Sequence, residues 1–409
     1  MQLINRPEYI DFLVRSKDKQ IIKVVSGIRR CGKSTLFDIY RSWLIGQGVA
    51  KEQIIDINFE EIDNQHLTTY HDLYEYLKQH LLPDKMNYIF LDEIQHVAQF
   101  EKVVDSLFIK NNVDLYITGS NAYFMSGDMA TLLTGRYIEL KMLPLSFAEY
   151  CEGLSLYQPE LSLSKMEKYA MYISTSSFPY TLQIYDQQRE MRSYLSGLYS
   201  SIFLSDIVAR LKISDVMLLE SVTRYVFNNI GNLLSTTKIA NTLTSSGRKI
   251  NYKTVEKYVQ GLIDSLVIYQ ARRYNIRGKQ LLATLEKYYV SDIGLRRHLI
   301  GSGANDQGSI LENIIYLELL RRGTEVYVGK LDNGEIDFIT RDGTGITYYQ
   351  VAASVLDSTT LRRELMPLDN LKDHYPKNLL TLDEVGSGSN YNGIRQINAL
   401  DWLLAKPNV

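Results

Sequence analysis

A glycine-rich segment near the N-terminus has the residue types and spacing of a phosphate-binding loop. Four residues separate Gly27 from Gly32, and Lys33 and Ser34 follow directly. This matches the pattern G-x-x-x-x-G-K-S/T, in which backbone N–H groups surround a phosphate chain. The lysine of this pattern reaches the β- and γ-phosphates, and the hydroxyl ligates Mg²⁺. The residues expected to line the nucleotide site are Gly27, Ile28, Arg29, Arg30, Cys31, Gly32, Lys33, Ser34 and Thr35.

The segments on either side of this loop fit the same interpretation. A β-branched run with Ile22, Val24 and Val25 precedes it, and residues 35–44 have apolar side chains at helical spacing. A strand, a glycine-rich loop and a helix in this order form the supersecondary motif in which such loops occur. The alternative, a glycine-rich turn without a ligand, does not require these flanking elements.

Two adjacent acids follow a second apolar strand. Residues 88–91 are Tyr-Ile-Phe-Leu, and Asp92 and Glu93 come directly after them. Asp92 suits the carboxylate that would hold Mg²⁺ together with Ser34, and Glu93 suits the base that polarises the attacking water. The alternative is an acidic turn in which an aspartate caps the next helix.

Further polar residues follow a third strand, at residues 114–117. Thr118, Ser120 and Asn121 should lie at the same sheet edge, where Asn121 or Ser120 could hold the attacking water; simple turn chemistry is the alternative. Arg136 follows a glycine farther along the chain. An arginine there could stabilise developing triphosphate charge, often from a neighbouring subunit, or could form a surface salt bridge.

Four segments in order resemble a known family. GIRRCGKSTL, IFLDEIQHV, ITGSNAYF and LLTGRYIELKMLPLSFAEY resemble the AAA-type P-loop ATPase module of a large prokaryotic family. Its members carry a C-terminal domain of unknown function, DUF4143, related to PD-(D/E)xK nucleases. The resemblance covers nearly the whole chain. It implies ATP as the nucleotide, a homo-oligomer with its active site near a subunit boundary, and Arg136 as a candidate arginine finger.

The middle of the chain predicts a helical lid and then a winged helix. Ser146 and Glu149 have the spacing of a helix-capping box, and apolar residues at helical spacing recur from Ser164 to Val216. A short helix, a turn and a longer helix follow. Two strands, at residues 267–274 and 281–290, then flank residues 275–280, so this segment could form a wing. Residues 235–287 contain ten basic and three acidic residues, a net charge of +7 in a chain of −2.

This concentration of positive charge favours double-stranded DNA as a partner, through its phosphates. Winged helices also bind proteins, and charged runs are often only solvated, so a protein partner stays open. The residues expected to contact DNA are Lys249, Lys253, Lys257, Arg272, Arg273, Arg277 and Lys279.

The last quarter of the chain resembles a nuclease fold that lacks part of its active site. A helix carrying Glu312 precedes three strand candidates, and Asp337 matches the first acid of the PD-(D/E)xK pattern. At the E-x-K position, however, the chain has Gln350 and Ala352, which supply neither a negative charge nor an ammonium group. We therefore expect no efficient nuclease activity, although Glu312, Glu335 and Asp337 could still bind a cation weakly.

These observations predict an α/β protein: a P-loop NTPase parallel sheet with a helical lid, a winged-helix domain and a C-terminal α/β nuclease-like domain. The expected boundaries are 1–150, 151–228, 229–300 and 301–409. Two cysteines are too few for a disulfide framework, and no export signal or membrane-length apolar run occurs, so a cytoplasmic protein is expected. The favoured function is a DNA-associated ATPase; the alternative is a nucleotide-controlled signalling switch that binds a protein partner.

Overall fold

The computed structural model describes residues 3–120, 133–282, 285–301, 303, 306–332, 334–343 and 345–406. Contacts divide the chain into two compact units. The first unit extends to Pro144 and includes Asp264–Leu266, and the second comprises Leu145–Ile263 and the chain from Val267 onward.

The first unit is built from five strands and four α-helices in its described residues. The strands are β1 (Ile22–Gly27), β2 (Ile54–Asn58), β3 (Asn87–Asp92), β4 (Val113–Gly119) and β5 (Tyr137–Met142). The helices are α1 (Pro7–Ser16), α2 (Lys33–Gly46), α3 (Tyr70–His80) and α4 (Phe100–Phe108), with 3₁₀ turns at Lys51–Gln53, Ile62–Leu67 and Ile94–His96.

The strands form one parallel sheet in the order β2-β3-β4-β1-β5. Every residue of β1 and β3 is buried, as expected for strands covered on both faces. Because the strands are parallel, their carboxyl ends share one edge, which places Gly27, Asp92 and Gly119 on the same side of the sheet. The topology therefore assembles the segments predicted to carry chemistry.

The second unit begins with helices. They are α5 (Phe147–Tyr157), α6 (Lys165–Ser174), α7 (Gln188–Ser201) and α8 (Val216–Asn228), with a 3₁₀ segment at Pro179–Ile184 and a π-helix at Ile202–Ala209. The predicted capping box is confirmed at the start of α5. Ser146 Oγ accepts the Glu149 N–H at 3.1 Å, and the Ser146 N–H donates to Glu149 Oε2 at 2.8 Å.

The rest of the second unit alternates strands and helices. In chain order the elements are β6 (Leu233–Leu234), α9 (Thr236–Ser245), α10 (Tyr252–Asp264), β7 (Ile268–Ala271), β8 (Arg273–Asn275), β9 (Gln280–Leu281), β10 (Glu286–Val290), α11 (Ile293–Ile300), α12 (Gln307–Arg321), β11 (Glu325–Lys330), β12 (Glu335–Asp342), β13 (Gly345–Ala352), α13 (Ser358–Asp369), β14 (Lys377–Thr381), β15 (Asn390–Tyr391), β16 (Ile394–Asn398) and α14 (Ala399–Leu404).

Two sheets organise these elements. The strands β6, β10 and β7 form a small antiparallel sheet, and the order α8, β6, α9, α10, β7, β10 is that of a winged helix. The larger sheet has the order β15-β16-β14-β13-β12-β11-β8-β9. Its last two strands form a hairpin that lies between β7 and β10 in sequence, and β8 pairs with β11 in parallel. The segment expected to be a wing is therefore an edge of the larger sheet.

Candidate nucleotide-binding site

The phosphate loop connects β1 to α2 and requires glycine at two positions. A β-carbon on Gly27 would lie 2.5 Å from the Met142 carbonyl oxygen and 2.8 Å from Cys31 Sγ. Gly32 has a φ of 106°, a left-handed conformation that disfavours other residues, and it caps the N-terminus of α2. The loop is thus held tightly against the end of β5, and its helix N-terminus is available to an anion.

Lys33 is buried at the centre of the site and contacts three oxygens. Its Nζ donates to the Gly27 carbonyl at 3.0 Å and to Ser120 Oγ at 2.8 Å, and it lies 3.0 Å from Glu93 Oε1. Burial is the largest influence and lowers the pKa of Lys33, but the combined attraction of Glu93, Cys31 and Asp92 exceeds it, so the net pKa is raised. Lys33 is therefore a charged donor beside the loop.

Asp92 ends β3 next to the loop serine. Burial raises the pKa of Asp92, while side-chain hydrogen bonds with Ser34 and Thr118 oppose this rise. Thr118 Oγ1 donates to Asp92 Oδ1 at 2.5 Å. The structure thus brings the Ser34 hydroxyl and the Asp92 carboxylate together, and these hard oxygen donors are the type that Mg²⁺ prefers. The residues at this position fit the predicted metal.

Glu93 turns back towards Lys33. Its φ of 55° is left-handed, its N–H donates to Thr118 Oγ1 at 2.8 Å, and its Oε1 accepts from Ser120 Oγ at 2.5 Å. Burial opposes ionisation, yet Lys33 and hydrogen bonds from Ser120 and Gln95 lower the pKa of Glu93 to about 2. The side chain is therefore an ionised acceptor, and transfer of Lys33 to phosphate would raise the pKa of Glu93 towards the range that suits a general base.

Ser120 bridges Lys33 and Glu93 at the carboxyl end of β4. This is the sheet edge at which the sequence predicted a polar residue. The other candidate for that role, Asn121, lies outside the described residues. The assignment between Ser120 and Asn121 stays a prediction.

The other loop residues predicted to line the site differ in exposure. Ile28 is buried, Thr35 is half-buried, and Arg30 is exposed with a φ of 67°. Arg29 forms an ion pair with Glu60.

Arg136 lies at the opposite edge of the sheet from Lys33. The Ile22 N–H donates to the Arg136 carbonyl at 2.9 Å, so Arg136 borders the first residue of β1, whereas the phosphate loop follows the last. The six residues of β1 separate the two positions by about 17 Å. The guanidinium pairs with Asp105 and lies 5.6 Å from the Phe108 ring centroid. Arg136 is therefore too far away to contact phosphates bound by its own chain.

Arg6 is a loop contact that the sequence did not reveal. It is 3% exposed and donates to the Cys31 carbonyl at 3.3 Å and to the Leu143 carbonyl at 2.8 Å. Its guanidinium lies 4.7 Å from the Tyr9 ring centroid, and the Tyr9 hydroxyl accepts the Leu143 N–H at 3.2 Å. Arg6 thus connects the phosphate loop to the end of β5. No spacing rule signals a contact between residues so distant in sequence.

The basic residues predicted to contact DNA are mostly exposed. Lys249, Lys253, Lys257, Arg272, Arg277 and Lys279 are on the surface. Lys253 lies at the start of α10, the second helix of the helix-turn-helix, and Lys249 lies three residues before that helix begins. Arg273 differs, because it is half-buried on β8 and its Nε is enclosed.

Some of the basic residues in this region already contact other groups of the same chain. Lys257 Nζ donates to the Leu211 carbonyl at 3.0 Å, and Arg277 pairs with Asp332 at 2.8 Å. Lys287, one of the ten basic residues counted in the sequence, is 4% exposed and contacts carboxylates. The sequence count therefore overstated the positive charge that this region presents to solvent.

Comparisons with known proteins agree with this geometry. Residues 19–151 match the model of an AAA domain, and residues 166–306 match a domain of unknown function, DUF8612. An uncharacterised protein from Haemophilus influenzae is 40% identical over 404 residues, 98% of this chain and 99% of that protein. The uncharacterised protein MJ1544 from Methanocaldococcus jannaschii is 30% identical over 328 residues, 78% and 71% of the two chains. The chain belongs to the same family of prokaryotic AAA proteins as these two relatives.

A solved structure supports the fold of this AAA protein. The Walker-type ATPase PABY2304 of Pyrococcus abyssi matches with a TM-score of 0.54 and 14% identity, over 73% of this chain and 96% of that one. The predicted P-loop NTPase fold is thereby confirmed. The prediction of a DUF4143 domain is wrong, because the matching model beyond the AAA domain is DUF8612. The described ranges contain no helix that is long and apolar enough to cross a membrane.

Proposed function

We propose that this protein binds and hydrolyses ATP. The observation that carries the proposal is the convergence of Lys33, Glu93 and Ser120 at the sheet edge where Ser34 meets Asp92. A phosphate-loop lysine, a paired hydroxyl and carboxylate, and an ionised glutamate are the groups that phosphoryl transfer to water uses.

Each side chain has a role that its position supports. On nucleotide binding, the Lys33 ammonium exchanges its present acceptors for phosphate oxygens. The ionised Glu93 then accepts a proton from the attacking water, and Ser120 orients Glu93 through their hydrogen bond. Ser34 and Asp92 would hold Mg²⁺, which neutralises phosphate charge when bound. The loop N–H groups and the N-terminus of α2 stabilise the remaining negative charge.

Nucleotide binding tests the proposal directly. Titration with a fluorescent ATP analogue and Mg²⁺, followed by a phosphate-release assay, should show uptake and turnover by the native protein. Lys33→Ala should abolish both, whereas Lys78→Ala, which removes an exposed lysine of α3, should leave both unchanged. Absence of nucleotide uptake by the native protein would refute the proposal.

We also propose that Arg136 acts on the site of a neighbouring copy in a homo-oligomer. Its position at the opposite sheet edge supports a role in trans, since its own site is too distant. The test mixes two inactive variants. Arg136→Ala retains a complete loop and base, and Glu93→Gln retains Arg136, so mixed oligomers should regain part of the turnover. Mixtures as inactive as their components would contradict this role.

Double-stranded DNA is the partner that the second unit supports best. Its helices and strands follow the winged-helix order. Tyr252 and Lys253 are exposed at the start of α10, and Lys249 is exposed in the turn before it. Contacts made mainly to phosphates would give weak sequence preference and a steep dependence on salt. ATP binding or hydrolysis would then change how subunits assemble on the duplex.

A salt series of binding to a random duplex, with and without ATP, tests this partner. Affinity should fall steeply as salt rises. Reversing charge at Lys253 and Arg272 should weaken binding, whereas Lys78→Glu outside the winged helix should not. If the protein does not bind the duplex even at low salt, DNA is excluded as the partner. The alternative, a nucleotide-controlled switch whose second unit binds a protein, is then favoured.

A further inference from the structure

A buried ammonium group lies among three carboxylates in the second unit. Lys287 Nζ is 3.0 Å from Glu312 Oε1, 2.7 Å from Glu335 Oε1 and 3.6 Å from Asp337 Oδ1. The carboxylates are on α12 and β12, whereas the lysine is on β10 of the winged helix. These are the acids that the sequence proposed as weak cation ligands.

The surroundings of this cluster are closely packed. The Tyr289 hydroxyl donates to Glu312 Oε1 at 2.6 Å, and a β-carbon on Gly231 would lie 3.1 Å from Glu312 Oε2. Asp337 Oδ2 accepts the Val351 N–H at 2.9 Å. Two of the six carboxylate oxygens, Glu312 Oε1 and Asp337 Oδ2, therefore have hydrogen-bond partners besides Lys287.

The charges of the cluster also disfavour a divalent metal. The three carboxylates raise the pKa of Lys287 despite its burial, so the ammonium is charged. Burial and the nearby Glu312 raise the pKa of Asp337, which Lys287 opposes. A divalent ion at this position would be repelled by the ammonium. As they are placed around Lys287, these acidic side chains do not form a metal site, and the described residues contain no group of three or more acidic, histidine or cysteine side chains arranged to hold a metal ion.

We propose that Lys287 is the resident cation of this acidic cluster and occupies the place that a nuclease-like site would give to a metal. Lys287 thereby joins β10 of the winged helix to α12 and β12. Asn313 adds a second connection, because its side chain bonds both the N–H and the carbonyl of Val290, at 2.7 and 2.9 Å. The role of the cluster is electrostatic attachment of two substructures.

Manganese binding to the full chain tests this proposal. Electron paramagnetic resonance measures free Mn²⁺ in nucleotide-free protein that carries Asp92→Asn, which removes the carboxylate expected to bind metal at the loop. With Lys287 intact, we expect no Mn²⁺ binding that depends on Asp337. Lys287→Ala removes the competing charge and opens space, so it should bind one Mn²⁺, and adding Asp337→Asn should abolish that binding.

Two results would overturn the proposal: Mn²⁺ bound with Lys287 intact and released by Asp337→Asn, or a folded Lys287→Ala protein that still excludes the ion. A second measurement applies if Lys287→Ala does not fold. Lys287→Met should lower the thermal midpoint, and adding Glu335→Gln should restore part of the loss, because one unpaired charge is removed. Additive losses would contradict the role of Lys287. Lys279→Met, on the exposed hairpin, is the control and should leave the midpoint unchanged.

Discussion

The Lys33–Glu93 contact predicts that Glu93→Gln will separate ATP binding from ATP turnover. In the structure Lys33 is shared among Glu93, Ser120 and a loop carbonyl, so phosphate must compete with Glu93 for the ammonium. Glutamine retains an oxygen that can accept hydrogen bonds but carries no charge. The variant should therefore release Lys33 to the nucleotide more readily and lack the base.

The pKa of Glu93 sets the magnitude of the effect on binding. Its fall from 4.5 to about 2 corresponds to about 3 kcal/mol in favour of the ionised form. Lys33, Ser120 and Gln95 share this stabilisation. If Lys33 supplies about half, loss of the pair makes on the order of 1–2 kcal/mol available, or roughly tenfold tighter ATP binding. Loss of a general base lowers turnover by about 10²–10⁴-fold.

The assay combines an equilibrium titration with labelled ATP and a single-turnover measurement of phosphate release. Glu139→Gln is the matched control, because Glu139 is half-buried on β5 and accepts from Ser26 Oγ at 2.5 Å. Its turnover should stay close to that of the native protein. Unaltered turnover in Glu93→Gln would show that Glu93 is not the base. A loss of ATP affinity would show that Glu93 does not compete with phosphate for Lys33.

Three further predictions follow from buried groups of the first unit. Arg6→Gln removes a charged donor from the phosphate loop and should weaken ATP binding by about 5- to 30-fold, or ~1–2 kcal/mol. Arg15→Gln, exposed on α1, the helix that Arg6 precedes, should leave ATP binding unchanged. Equal affinities of the two variants for ATP would refute the role of Arg6. Asp114→Asn leaves Lys23 buried without its charged partner. The free energy of unfolding, measured with urea, should therefore fall by ~3–5 kcal/mol. A smaller loss would show that Lys23 is solvated. Burial raises the pKa of the Cys31 thiol, so alkylation of Cys31 should be slow at pH 8 and its rate should increase with pH. Mass spectrometry measures this rate, and rapid labelling at pH 8 would contradict the prediction.

The nucleotide site could be predicted from sequence because each of its parts has a local pattern. The spacing of Gly27, Gly32 and Lys33 defines the loop, and an apolar run before Asp92 identifies a buried strand. The parallel sheet then brings the strand ends together without further information. Ser120 was found for the same reason, since it follows a strand whose end had to reach that edge.

Other contacts could not be predicted, because they depend on packing between distant segments. Arg6 contacts carbonyls 25 and 137 residues away, and no periodicity encodes that contact. In the sequence Lys287 cannot be distinguished from a basic surface residue. Only the fold shows that three carboxylates surround it. The sequence predicted two strands where the structure has four, β7 to β10, and the sheet that β8 joins could not be predicted, since pairing with β11 is set by tertiary structure.

The path of the chain through the hairpin β8–β9 limits how the protein can be divided. A fragment ending at Ile300 would contain β8 without β11, exposing an unpaired sheet edge of the kind that promotes aggregation. The same fragment would retain Lys287 but lose its three carboxylates. We therefore expect the winged helix and the larger sheet to depend on each other for folding, and a shortened gene product to be degraded by proteases rather than to work as a smaller protein.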